Sequence, residues 1–376
     1  MQATDLKTME IFREVLANPD REAREWKASG KKVVGYRCLF VPEEMIWAAG
    51  MLPYPLYGTA KPIVKADSYF QPCTCEFIRN IFDHALDGRF EFLDCLALSS
   101  TCDVMRRLPD LWREYIKGPP VYMITNPQKL LNERNRDYYR EELACFKVML
   151  EKISGKSITD EKLSDAIQLY NETRGLLQEL YALREQDDPP ISGQEAFEIA
   201  MAMTIMPKDR ANAVLKQLLV ELQDREAPDS FGPRILVTGS IIENPTLIRM
   251  IEEEGGVVVA DDLCTTTRYF WHEISDKPEP LEGIYRFLNE RALCACMHPM
   301  EARMDYIVKL IEQFRVDAVI NFNLKYCHPF LYEAPILSNE LEARGIPCTV
   351  LEVGHDMSGQ GQLRTRIQAF IEMIDL

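Results

Sequence analysis

Between residues 33 and 125 short apolar runs alternate with helix-forming stretches. Val33–Phe40 reads as a strand, Pro42-Glu43-Glu44 opens a helix that Gly50 closes, and Leu52–Tyr57 reads as a second strand. Proline just inside a helix and glycine at its end follow the usual asymmetry of helix termini. Further strands are predicted at 94–100 and 121–125. Strands alternating with helices predict a mostly parallel sheet with helices on both faces. A polar lead-in helix is predicted over residues 4–30.

Residues 127–227 change character. They are charged and helix-rich, and Leu215, Leu218, Leu219 and Leu222 recur at helical spacing. Pro228, Gly232 and Pro233 mark a break. From Arg234 the strand signals return, at 235–237, 257–259, 318–320 and 349–351. Met304, Ile307, Val308, Ile311 and Phe314 make one apolar helix face, as do Leu363, Ile367, Phe370, Ile371 and Ile374. The expected organisation is an N-terminal α/β domain over 1–150, a helical connector over 151–228 and a second α/β domain over 229–376. The two halves look like a loose duplication of strand followed by cysteine.

Composition narrows the class. A chain of 376 residues exceeds one comfortable core and predicts two domains. With 47% hydrophobic and 27% charged residues it reads as globular. No apolar run approaches the roughly 18 residues that span a bilayer, and the start Met1-Gln2-Ala3-Thr4-Asp5 lacks signal-peptide character. A cytoplasmic location with reduced thiols is therefore expected. The net charge of −16 argues against nucleic acid as a partner.

Eleven cysteines then need an account other than disulfides. Cys38, Cys95, Cys145 and Cys348 lie inside apolar patterns, where core packing is the better reading. Cys102, Cys264 and Cys327 each follow a predicted strand, where open α/β sheets bind their ligands. Cys75, in Pro72-Cys73-Thr74-Cys75-Glu76, sits where a loop enters a helix, whose free amides and positive dipole end favour a thiolate. Arg79 adds a positive charge one turn on. Cys73 competes with Cys75, since residues two apart at a helix start point in different directions. Three thiolates from separate loops suit a [4Fe–4S] cluster with one iron open. Structural zinc usually shows a Cys-x2-4-Cys pair, which is absent. No Gly-x-x-x-x-Gly-Lys-Ser/Thr loop occurs, so ATP hydrolysis by this chain is not expected.

These segments resemble a known family. Cys75-Glu76-Phe77-Ile78-Arg79, Thr101-Cys102-Asp103 with Arg106 and Arg107, and Cys327-His328-Pro329 are similar to the 2-hydroxyacyl-CoA dehydratase and benzoyl-CoA reductase family. So are Val41-Pro42-Glu43-Glu44, Asp261-Asp262-Leu263-Cys264 with Arg268, and Gly359-Gln360-Gly361-Gln362. The resemblance runs in order along nearly the whole chain. It implies two flavodoxin-like domains and a [4Fe–4S] cluster held by Cys75, Cys102 and Cys327. It also implies a separate ATP-hydrolysing [4Fe–4S] activator that delivers low-potential electrons singly, and an acyl-CoA that is dehydrated or reduced. Pairing with a related subunit is implied too. A second branch of the family, homodimeric, carries an [8Fe–9S] double-cubane cluster and reduces small molecules. Cys264, Cys294 and Cys296 are its candidate further ligands, with Cys73 in reserve. Core or cap roles compete for Cys294 and Cys296. An electron-transfer subunit with no substrate of its own is the remaining alternative.

Two further residues are candidates for catalysis. Ser100, beside Ser99 and Thr101, is placed to hydrogen-bond a substrate carbonyl, with helix capping as the competing role. His328 is placed to donate a proton, with a structural role before Pro329 as the alternative. For Arg106 and Arg107 a solvated helix face is favoured over contact with CoA phosphates.

Overall fold

The structure, a computed structural model, describes residues 6–129, 133–227, 232–290, 294–357 and 359–374. Pro228 of the predicted break and Leu293, next to the Cys-x-Cys motif, lie outside the described residues. The chain forms two compact units, each assembled from discontinuous segments. One comprises Asn18–Glu172 and His272–Arg303; the other comprises Met1–Ala17, Thr173–Trp271 and Met304–Leu376.

The first unit is built on β1 (Val33–Arg37), β2 (Leu52–Pro55), β3 (Cys95–Ser99) and β4 (Val121–Ile124). All pairings are parallel, in the order β2-β1-β3-β4. Strands β2 and β3 are buried throughout, which is why they read as unbroken apolar runs rather than alternating ones. Strand β1 stops short of the predicted Phe40 because Cys38 turns to φ +88°, a conformation that ends an extended run. The core gathers Val34, Met45, Ile46 and Ala97 with Phe146 and Leu150 of the helix Glu133–Ser154. Ile284 and Leu288 of the helix Pro280–Glu290 join the same core.

The second unit carries β5 (Arg234–Gly239), β6 (Val257–Asp262), β7 (Ala318–Leu324) and β8 (Cys348–Val353). It too is parallel, in the order β6-β5-β7-β8. Strands β6 and β7 outrun their apolar cores, since Asp261, Asp262, Asn321 and Asn323 continue them while fully buried. Gly239 closes β5 at φ +126°, with Phe322 O 1.9 Å from where a Cβ would stand, so only glycine fits between β5 and β7.

The chain thus has the expected α/β architecture, two flavodoxin-like parallel units with a helical extension. The extension holds four long helices, Glu133–Ser154, Asp160–Ala182, Gly193–Ile205 and Lys208–Gln223. Gly193–Ile205 begins with a reciprocal capping box between Ser192 and Glu195. The lead-in is two helices, Met9–Ala17 and Arg21–Ala28, rather than one. Pro19 disfavours helical geometry at Asn18 and accounts for the break.

Candidate functional site

In each sheet the strand order reverses between its first and third strands, β1/β3 in one unit and β5/β7 in the other. Ligands of open α/β sheets bind at that point, outside the carboxyl ends of the strands. In the β1–β4 unit it is marked by Cys38 after β1 and by Ser99-Ser100-Thr101-Cys102 after β3. Cys102, half-buried, is the N-cap of the helix Asp103–Tyr115, and its side chain makes no capping hydrogen bond. Cys75 is the N-cap of the helix Glu76–Leu86 in the same unit, also without a side-chain cap bond. In the β5–β8 unit Cys327 holds the same place before the helix His328–Glu342. N-caps are normally Ser, Thr, Asp or Asn, whose side chains accept an orphan amide and stabilise the helix by about 1 kcal/mol. Three cysteines at three N-caps forgo that contribution. They place sulfur where free N–H groups and the helix dipole favour an anion.

The loop leading to Cys75 is clasped by one face of its own helix. The Asp83 carboxylate accepts N–H groups from Val64, Lys65 and Ala66 at 3.1, 2.5 and 2.7 Å. Asn80 accepts Thr59 N and donates to Lys61 O. Cys75 is consequently buried, whereas Cys73 is exposed. Arg79 does not serve as a spare charge. Its guanidinium donates to Asp67 at 2.5 Å and to Thr74 O at 3.1 Å, fixing the residue between the two cysteines.

Beside Cys102, Ser100 is 2% exposed and its hydroxyl has no hydrogen-bond partner among the described residues. A buried hydroxyl left unpaired costs about 1–3 kcal/mol. Ser99 donates to Asn126 at 2.6 Å. Cys38 Sγ lies 3.6 Å from the Thr101 hydroxyl. Arg106 Nε donates to Ser100 O, and Arg107 is solvent-exposed with Asp110 3.9 Å away.

Cys294 and Cys296 belong to this same unit, although they fall between β6 and β7 in sequence. Cys296 shares hydrogen bonds with the sulfurs of Cys102 and Cys294, and these contacts together with burial push its thiol well above the ordinary thiol range. Among the described residues no group of three or more His, Cys, Asp or Glu side chains forms a cage able to hold a metal ion.

Cys264 and Cys327 belong to the β5–β8 unit. Cys264 Sγ is 3.5 Å from Arg268 Nη1. Tyr326, just before Cys327, takes φ +64°. His328 starts the following helix, exposed, with its ring 6.4 Å from that of Tyr332. Of the four cysteines assigned to packing, Cys95 is buried, and burial pushes its thiol up to about 12. Cys38 and Cys348 are half-buried. Cys145 is exposed on the helix Glu133–Ser154, so core packing is not its role. Asn126 and Gln128, which tie the end of β3 to the Cys294–His298 segment, escape a sequence reading. The signal available was polar residues following β4.

This is a two-unit parallel α/β protein with cysteines capping the helices at its strand ends. The family described as 2-hydroxyglutaryl-CoA dehydratase, D-component, matches residues 38–374, and the chain belongs to it. Among curated proteins it is 26% identical over 364 residues to the (R)-phenyllactyl-CoA dehydratase beta subunit of Clostridium sporogenes, covering 96% of this chain and 97% of that one. It is 28% identical over 363 residues to one of the subunits of benzoyl-CoA reductase from Thauera aromatica, covering 94% of each. It is 27% identical to the lactoyl-CoA dehydratase beta subunit of Anaerotignum propionicum, covering 96% and 97%. Among the described residues no helix is long and apolar enough to cross a membrane.

Proposed function

We propose that this dehydratase- or reductase-type subunit binds a [4Fe–4S] cluster through Cys75, Cys102 and Cys327 and acts on an acyl-CoA with electrons from an ATP-hydrolysing activator. One observation carries the reading: all three cysteines occupy the N-caps of helices, where sulfur replaces the usual capping oxygen. The donors also fit the group, because cysteine thiolates are the ligands iron–sulfur clusters take. When bound, such a cluster supplies single low-potential electrons and an open iron.

The chain's own residues supply the surroundings. Amides at each helix start stabilise the thiolates. The unpaired Ser100 hydroxyl donates to an oxygen of the bound acyl group, and His328, exposed at its helix start, holds a proton for delivery. The Asp83 clasp keeps the Cys75 loop in place without ligating anything itself. The relatives named above are dehydratase and reductase subunits, which supports an acyl-CoA substrate and a related partner subunit.

The contact of Cys296 with Cys102 and Cys294 favours a second reading, in which Cys264, Cys294 and Cys296 help hold a double-cubane cluster. Iron and acid-labile sulfide per chain, measured on protein prepared without oxygen, separate the two. About four irons support the first and about eight the second. Absence of iron after anaerobic reconstitution overturns both.

A further inference from the structure

One side chain, Arg268, joins the ends of β5 and β6 to the helix that Cys327 caps. The turn that presents it is folded onto Asp261. The Thr266 hydroxyl donates to the Asp261 carboxylate, Thr267 Oγ1 donates to Asp261 O at 2.5 Å, and Arg268 N–H donates to Leu263 O at 3.2 Å. The guanidinium is 1% exposed. Its Nε and Nη2 pair with Asp262 at the end of β6, and Nη2 also donates to Gly239 O at the end of β5, at 2.9 Å. Nη1 lies 3.5 Å from Cys264 Sγ. The guanidinium carbon stands 4.8 Å from the centre of the Phe330 ring. Phe330 is itself buried and lies three residues beyond Cys327, in the first turn of the helix His328–Glu342. Cys327 is bound to that turn, since Leu331 N–H donates to Cys327 O and Cys327 N–H donates to Leu324 O, both at 3.0 Å. Ala334, Leu337 and Leu341 bury the later turns. All these residues belong to one compact unit.

We propose that Arg268 is a positioning residue for Cys327: it seats Phe330, and so fixes the first turn of the helix and the direction of the capping sulfur. The inference rests on Cys327 being a cluster ligand. A guanidinium taken out of water is costly unless it is paired and hydrogen-bonded, and Asp262 and Gly239 O meet that need. Arginine suits the place because its planar fork pairs with both carboxylate oxygens while its face stays flat against a ring. Lysine would keep the charge as a point and lose both the fork and the stacked plane. The later turns of the helix keep their own apolar anchors, so loss of the seat loosens the first turn without releasing the helix. Groups that orient a metal ligand from behind hold it in its binding direction, and their removal weakens a site by about 10–100-fold. Arg268 acts in this way through Phe330, without ligating anything itself.

The test uses the full chain reconstituted with iron and sulfide without oxygen. A chelator then strips the iron, and the rate is followed by loss of visible absorption. The electron paramagnetic resonance spectrum of the reduced protein is recorded alongside. Arg268→Lys should lose iron about tenfold faster than the unaltered chain and show an altered spectrum. Phe330→Leu, which leaves the Asp262 pair intact and removes only the stacked ring, should do the same. The double variant should strip no faster than Arg268→Lys, because both substitutions act through one contact. Leu215→Ala, a truncation of a buried residue on the helix Lys208–Gln223 of the same unit, shows what lost stability does by itself. It should keep the rate and spectrum of the unaltered chain. An unaltered rate and spectrum in Arg268→Lys overturns the positioning role, as does equal acceleration in Leu215→Ala. If Arg268→Lys does not fold, Phe330→Leu decides by the same comparison. Cys327→Ser separates the two levels. Full iron in that variant overturns the ligand reading itself, whereas loss of iron there with no change in Arg268→Lys overturns only the role of Arg268.

Discussion

Cys102 and Cys327 are topological equivalents: each caps the helix that follows the third strand of its own sheet, across the reversal of strand order. Serine is a better N-cap than cysteine. Cys102→Ser and Cys327→Ser should therefore leave the metal-free fold as stable as before, or more stable by about 0.5–1 kcal/mol. Each should also lower the iron bound after anaerobic reconstitution. Paired urea titrations and iron assays check this; full iron in both variants removes them from the ligand set.

Cys73 and Cys75 differ by two positions and by their surroundings. Cys75 is buried at the helix start and Cys73 is exposed. Iron content should fall in Cys75→Ser and hold in Cys73→Ser. The reverse pattern would exchange their roles.

Arg268 and Asp262 form a fully buried fork, with Nε–Oδ1 at 2.6 Å and Nη2–Oδ2 at 2.8 Å. Thr238 also donates to Asp262, and the guanidinium stacks on Phe330 at 4.8 Å. Breaking one side of a buried pair strands the other charge and costs about 3–5 kcal/mol. Asp262→Asn should lower stability by that order, read from the chemical denaturation midpoint. A change below about 1 kcal/mol would place the pair among near-neutral ones.

Glu252 caps the helix Gly193–Ile205 from outside, accepting the N–H groups of Gly193 and Gln194 at 2.6 and 3.2 Å. Burial nevertheless pushes its carboxyl up to about 7. A carboxyl raised on folding binds its proton more tightly in the native state, so stability falls as pH rises from about 4.5 through 7. The expected loss is on the order of 2–3 kcal/mol. Glu252→Gln should flatten that dependence, as thermal melts between pH 5 and 8 would show. An equal slope in the variant assigns the dependence elsewhere.

Much of the fold was legible because it rests on local signals. Apolar runs marked all eight strands, a loop running into a helix drew attention to Cys75, and the ends of predicted strands drew attention to Cys102 and Cys327. What escaped depends on distant partners. Asp261, Asp262, Asn321 and Asn323 look like loop residues until their pairing with the neighbouring strands is known. Cys145 sits among apolar neighbours in sequence, yet it faces outward on its helix. The meeting of Cys296 with Cys102 spans nearly two hundred residues and leaves no periodic trace. Pro19 did carry the signal for the break in the lead-in helix.

The helix Met9–Ala17 belongs to the β5–β8 unit, where Thr8 N–H donates to Glu221 at 3.2 Å and Arg13 to Glu198 at 3.3 Å. Met9, Phe12 and Val15 are buried there. On the ribosome this stretch emerges before the β1–β4 sheet, while β7 and β8, which complete its unit, emerge after it. The Cys294–Cys296 segment likewise emerges after β5 and β6 of the other sheet. Neither unit is a contiguous fragment that a single cut could release, so each must wait for the other's chain to be made. Folding of the two units is then interleaved during synthesis rather than sequential.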